Sequence, residues 1–206
     1  MPIFRELKDN SSSIFIWKIN ESEADLSKGL DDWISLEILQ NNKLEKRRIE
    51  KYVQAYLLKQ AKIDPLSVSY SRSGKPYIES DDKHISFSHS GKFATLLVSD
   101  AICGIDLEKE NPKIEKISPK FLNDVESDFL HSPGALTWIW CIKEAVFKYF
   151  GERVFFKDDI IIDRFDPNLQ TAHVNYKGFH GSGKFDIKLD RFENYYLAYT
   201  KAYYAL

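Results

Sequence analysis

Apolar and polar positions alternate, cluster and change period along the chain, and the changes mark out its elements. Residues 13–19 (SIFIWKI) form a β-branched, aromatic run that predicts a strand. Two short helical patterns follow within residues 22–40, the first with Ala24 and Leu26, the second with Trp33, Leu36 and Leu39. Across residues 41–62 the apolar positions Leu44, Ile49, Tyr52, Val53, Tyr56 and Leu57, continued by Ile63, recur near the helical period. They predict one long amphipathic helix, ended by Asp64-Pro65. The period then drops to that of strands, at residues 68–70, 84–88, 94–99 and 103–108, with turn signals at 73–76, 90–92 and 100–101.

The second half begins again with helices. Residues 120–130 read as helical, with Asn123 and Glu126 spaced as a capping box. Ser132-Pro133 reads as the start of a second helix, Ser as N-cap and Pro at the first helical position, running to Phe150 before Gly151. Strands are expected at 160–163, 171–176, 183–189 and 195–199. The order of helix then strands occurs twice, which suggests two similar halves.

Composition narrows the function classes. A chain of 206 residues can bury about 70% of its unfolded surface without staples. Net charge is −2, so the basic excess of a nucleic-acid binder is missing. Phe and Tyr dominate the aromatics and sit in strand-like runs, where packing explains them. Cys103 and Cys141 lie in apolar runs with no metal or redox spacing, as small buried hydrophobes do. No apolar run of membrane length and no leader pattern is seen, so a soluble, cytoplasmic protein is expected, without nucleic-acid or membrane partners.

Three segments carry candidate chemistry. In Gly104-Ile105-Asp106-Leu107-Glu108, a strand puts Asp106 and Glu108 on one face. Two such carboxylates repel, and a divalent cation reverses that cost; a solvent-facing acidic strand end is the plainer explanation. In the segment 140–148 (WCIKEAVFK), Glu144 and Lys148 share a helix face four residues apart. That is also an ordinary stabilising helix pair, yet the helix is otherwise too apolar to offer a wet face, and buried charges need specific partners. Third, Ser88-His89-Ser90-Gly91 after a strand, with Gly74-Lys75-Pro76 upstream, collects anion donors, though a polar hairpin turn explains Ser-Gly-Lys as well. No nucleophile elbow and no P-loop pattern is present, which argues against a serine hydrolase and a P-loop nucleotide hydrolase.

Taken in order, G-K-P, S-H-S, G-I-D-L-E and W-x-x-K-E-A-x-x-K resemble the 4'-phosphopantetheinyl transferase superfamily, in its longer surfactin-synthetase-activator (Sfp) type. The resemblance implies an α+β fold of two similar halves, a pseudo-dimer of about residues 1–101 and 102–206. Each half would pack an antiparallel sheet on a long helix, with the site in the cleft between them. It implies Mg2+ on Asp106, Glu108 and Glu144, and coenzyme A as co-substrate. Lys148 would contact the diphosphate, and Lys75, Ser88, His89 and Ser90 the phosphates at the nucleotide end. Arg47 or Arg48 would hold the 3'-phosphate. The implied reaction moves 4'-phosphopantetheine to a serine of an apo acyl- or peptidyl-carrier protein and releases 3',5'-ADP. Glu144 and Lys148 would be catalytic, and the acceptor of the serine proton, Glu144 or a hydroxide on the metal, stays open. Fatty-acid, polyketide, peptide-synthetase and lysine-pathway carriers are all compatible. A working monomer is expected, since one chain would supply both halves. The alternative is a catalytically inactive carrier-protein or coenzyme A-binding module of the same fold, for which loss of Asp106, Glu144 or Lys148 would be the sign; all three are present.

Overall fold

The computed structural model describes residues 3–79 and 81–206. Contacts divide the chain into two compact units, Met1–Ile102 and Cys103–Leu206. Both are mixtures of helices and antiparallel strands.

The first unit holds a four-stranded sheet of β1 (Arg5–Lys8), β2 (Ser12–Lys18), β5 (His84–Ser90) and β6 (Phe93–Ser99). Their order is β1-β2-β6-β5 and every pair is antiparallel. The central strands bury consecutive residues, Ile14 to Trp17 in β2 and Phe93 to Val98 in β6, which is why they read as continuous apolar runs rather than alternations. Three helices follow β2: α1 (Glu23–Lys28), α2 (Asp32–Asn41) and α3 (Glu45–Gln60). Ser22 and Asp25 close α1 with a reciprocal capping box. Tyr52, Val53, Leu57 and Leu58 of α3 pack with Phe15, Trp17, Leu96 and Val98 of the sheet. A small hairpin of β3 (Val68–Tyr70) and β4 (Pro76–Ile78) completes the unit, with Gly74 at φ +83° in its turn.

In the second unit, β7 (Ile105–Lys109) leads through α4 (Lys113–Ile117) and short 3-10 turns to α5 (Ala135–Phe150). The strands β8 (Ile160–Asp166), β9 (Thr171–Gly178), β10 (Gly181–Phe192) and β11 (Tyr195–Ala205) close a five-stranded antiparallel sheet ordered β7-β11-β10-β9-β8. The sheet buries Val174, Phe185, Ile187 and Ala198 against Ile139, Ile142 and Val146 of α5. Burying a Val, Ile or Phe side chain fully is worth roughly 1.5–3 kcal/mol, so this face holds the helix firmly.

Three local expectations are corrected. The segment expected as a helix over 120–130 forms 3-10 turns, at Ser118–Lys120 and Asp124–His131, although the Asn123/Glu126 capping box is present. Helix α5 begins at Ala135 behind Gly134, at φ +70°, and not at Pro133. The chain therefore makes a further turn between Pro133 and the helix, closed by the Ala135 N–H on the Ser132 carbonyl. Strands β1 and β4 occur where none was expected; each is three or four residues long, too short to show a period.

Candidate functional site

The polar centre of the second unit is built by β7 and α5. Strand alternation points Ile105 and Leu107 away and brings Asp106 and Glu108 to the face that meets α5. Asp106 is buried, and its Oδ1 accepts a 2.7 Å bond from Lys148 Nζ. Lys148 thus reaches across to the strand and does not close the i,i+4 pair with Glu144 that helix spacing offered. Glu144, one turn earlier, is half-buried and makes no hydrogen bond or ion pair among the described residues. Burial, and then the Asp106 carboxylate, lift its pKa from 4.5 to about 7; Lys148 opposes the rise and Glu108 adds to it. Burial is also the main reason that the Cys141 thiol, on the same helix, is held in its protonated form.

Glycine at the start of β7 makes this approach possible. A Cβ on Gly104 would overlap the Ala145 carbonyl oxygen and crowd the Tyr149 amide. The strand passes directly against the turn of α5 that carries Glu144 and Lys148. The Gly104 N–H is meanwhile held by Thr200 Oγ1 at 2.9 Å.

The register of α5 has a second lock that the sequence reading did not assign. Lys143 is fully buried, and its ammonium binds the carbonyls of Phe121 (2.7 Å), Phe156 (2.9 Å) and Ile160 (2.8 Å) and the carboxylate of Glu126 (2.8 Å). Glu126 in turn accepts from the Asn123 and Ile162 amides, at 2.9 Å each. Burial pulls the Lys143 pKa down while Glu126 opposes it. Every charge in this pair is hydrogen-bonded, the condition under which a buried pair is tolerated. The signal was there, a lysine on an apolar helix and a glutamate at a capping-box position, but sequence could not pair them.

The nucleotide-end candidates lie in the first unit. On β5, Ser88 is buried, and His89, the next residue, leaves the strand on the opposite face; Ser90 returns to the Ser88 side. His89 Nε2 meets Glu50 Oε1 of α3 at 2.8 Å. The same carboxylate takes Arg47 Nη1 on Oε2 at 2.9 Å. Arg48 is used otherwise: its guanidinium binds Glu23 at 2.6 and 2.9 Å and the Asn42 and Lys43 carbonyls, tying α1 to the start of α3. The two arginines offered by the sequence are therefore unequal, and Arg47 is the one beside His89. Lys75 sits in the β3–β4 turn, its backbone pinned on both sides by Ser71.

Among the described residues no group of three or more His, Cys, Asp or Glu side chains stands ready as a metal cluster. The donor chemistry at β7 and α5 nevertheless fits a hard divalent cation: oxygen ligands only, one of them half-buried without a hydrogen-bond donor among the described residues, its pKa raised by burial and then by the Asp106 carboxylate. Among the described residues no helix is long and apolar enough to cross a membrane.

Fold and polar centre together define a mixed α+β protein in which an acidic strand faces a helix carrying a glutamate and a lysine. Residues 102–200 match the family model of the 4'-phosphopantetheinyl transferase superfamily. Over that stretch, just under half of its length, the chain is similar to this superfamily. It is 30% identical over 123 residues to a 4'-phosphopantetheinyl transferase of Bacillus subtilis, covering 55% of this chain and 53% of that protein. It is 28% identical over 138 residues to the 4'-phosphopantetheinyl transferase gsp of Aneurinibacillus migulanus, covering 62% of this chain and 56% of that protein. The matches thus span little more than half the length of these curated relatives.

Proposed function

We propose that the protein transfers 4'-phosphopantetheine from coenzyme A to a serine of an apo acyl- or peptidyl-carrier protein, releasing 3',5'-ADP. The observation that carries this reading is the partnerless, half-buried Glu144 facing Asp106 and Glu108, with Lys148 held beside them. A carboxylate kept at such cost is explained by a task. The superfamily match over 102–200 covers both motifs, and the names of the two relatives supply the reaction.

In this reading Asp106, Glu108 and Glu144 hold Mg2+, which supplies charge neutralisation at the diphosphate. The side chains do the rest. Lys148 has three donors and uses one on Asp106, so its ammonium can keep that bond and still meet a diphosphate oxygen as charge grows on the leaving 3',5'-ADP. Asp106 fixes where that ammonium stands. Glu144 must be deprotonated whether it acts as a ligand or takes the proton of the incoming serine, and a pKa near 7 lets it give up its own proton at neutral pH. In the first unit Lys75, His89 and Arg47 take the phosphates at the nucleotide end, with Ser88 and Ser90 shaping the strand that carries His89. The division of labour assigns nucleotide recognition to residues 1–101 and the metal and transfer groups to residues 102–206. We place the working protein in the cytoplasm as a monomer, where coenzyme A and apo carriers meet.

The test mixes the protein with coenzyme A, Mg2+ and a panel of apo carrier proteins and reads intact mass. One carrier gaining a single phosphopantetheine is the expected result. No gain on any carrier, from a folded protein that binds coenzyme A, would overturn the reading.

A further inference from the structure

Glu50 is the least expected feature of the nucleotide-end cluster. Its side chain is only 8% exposed, and it stands on the second turn of α3 with one oxygen on His89 and the other on Arg47. Its two partners are the opposite: His89 is 36% and Arg47 64% exposed. As a stabilising device this arrangement is poor. An ion pair with so exposed an arginine is worth little, and ordering a long side chain costs rotamer entropy. What it achieves is geometric. One buried anchor brings a guanidinium from α3 and an imidazole from β5 to a common point, while both side chains stay partly exposed. It also ties Nε2 of His89 inward and so sets the direction of the ring. A guanidinium and an imidazole held from behind by a shared carboxylate make a socket for a compact dianion, which can bond both at once and favours the protonated ring.

We propose that Glu50 is a positioning residue for phosphate recognition, holding Arg47 and His89 as one socket for the 3'-phosphate of coenzyme A. This inference rests on the functional reading above and adds to it a residue that touches no substrate. Glu50 acts only through its two partners, and neutralising it removes the anchor while leaving shape and volume.

Calorimetric titration with coenzyme A and with 3'-dephospho-coenzyme A tests this on the full chain. Glu50→Gln is expected to weaken coenzyme A about tenfold, the loss of a charge-assisted contact, and to leave the dephospho ligand within about twofold. In an His89→Ala, Arg47→Ala background, adding Glu50→Gln should cost nothing more. Unchanged coenzyme A affinity in Glu50→Gln would overturn the proposal. So would an equal loss for both ligands, which marks a merely structural carboxylate; circular dichroism and Tm then show the damage, and Glu50→Asp, which keeps the charge, would fail to restore the difference between ligands. If the parent protein binds neither ligand, the functional reading itself falls and takes this inference with it.

Discussion

Glu144 is half-buried at a cost to the fold whenever it is ionised. Its pKa is raised, so the folded chain binds that proton more tightly than the unfolded chain does. The stability this supplies is full below about 4.5 and is lost as pH rises through about 7. In metal-free protein Glu144→Gln should therefore be more stable than the parent, by a margin that grows from about pH 5 to about pH 8 and reaches on the order of 3 kcal/mol, at about 1.4 kcal/mol per pKa unit. Thermal melts across that range would show it, and parallel curves would refute it. The same variant, and Asp106→Asn, should lose transfer altogether in the carrier assay. Gain of stability with loss of activity is the mark of a working residue. Lys148→Ala should likewise cost turnover far more than folding; a collapsed protein would return Lys148 to the role of a structural ion pair.

The elements hold the side chains in register, and two contacts do most of this. Gly104→Ala should push β7 off α5, lowering the unfolding midpoint and activity together, because the carbonyl it meets is backbone and cannot turn away. Lys143→Met leaves Glu126 charged and buried among groups it was meant to share, and should cost about 3–5 kcal/mol in urea titrations. A loss below about 1 kcal/mol would mean that water reaches the pair. Much of this level was legible in the sequence. The long helix expected over 41–62 is α3, the helix ending before Gly151 is α5, and all four late strands lie where the alternation placed them, extended at one or both ends. The start of α5 was not legible, since a Ser-Pro cap and a left-handed Gly134 both satisfy the local rules. Nor were the partners of charged residues. The spacing of Glu144 and Lys148 suggests each other, while the fold gives Lys148 to Asp106. Arg47 and Arg48 are neighbours in sequence, and only the packing of α1 against α3 separates their uses.

Across the molecule, charge is local rather than general. With a net charge of −2 the protein has no overall attraction for a polyanion such as coenzyme A. In the proposed function, recognition falls instead to a few local donors, Lys75, Arg47, His89 and Lys148. The Michaelis constant for coenzyme A should then rise several-fold between about 50 and 300 mM NaCl, as screening reaches the exposed members, while kcat falls less because Lys148 and Asp106 are sheltered. Salt-independent kinetics would count against recognition by charge.

The buried lysine of α5 also restricts how this sequence can drift. Lys143 answers directly to the carbonyls of Phe121, Phe156 and Ile160, and through Glu126 to the amides of Asn123 and Ile162. Either partner changed alone strands the other, so the two can be exchanged only together or inherited together. Nearby, substitutions at the exposed Asp124, Val125, Ser127 and Asp128 should accumulate freely, whereas Phe129, packed on Phe165, should not. Anyone grafting this helix onto another scaffold would have to carry residues 121–126 and 156–162 with it, or replace Lys143 by a hydrophobe from the outset.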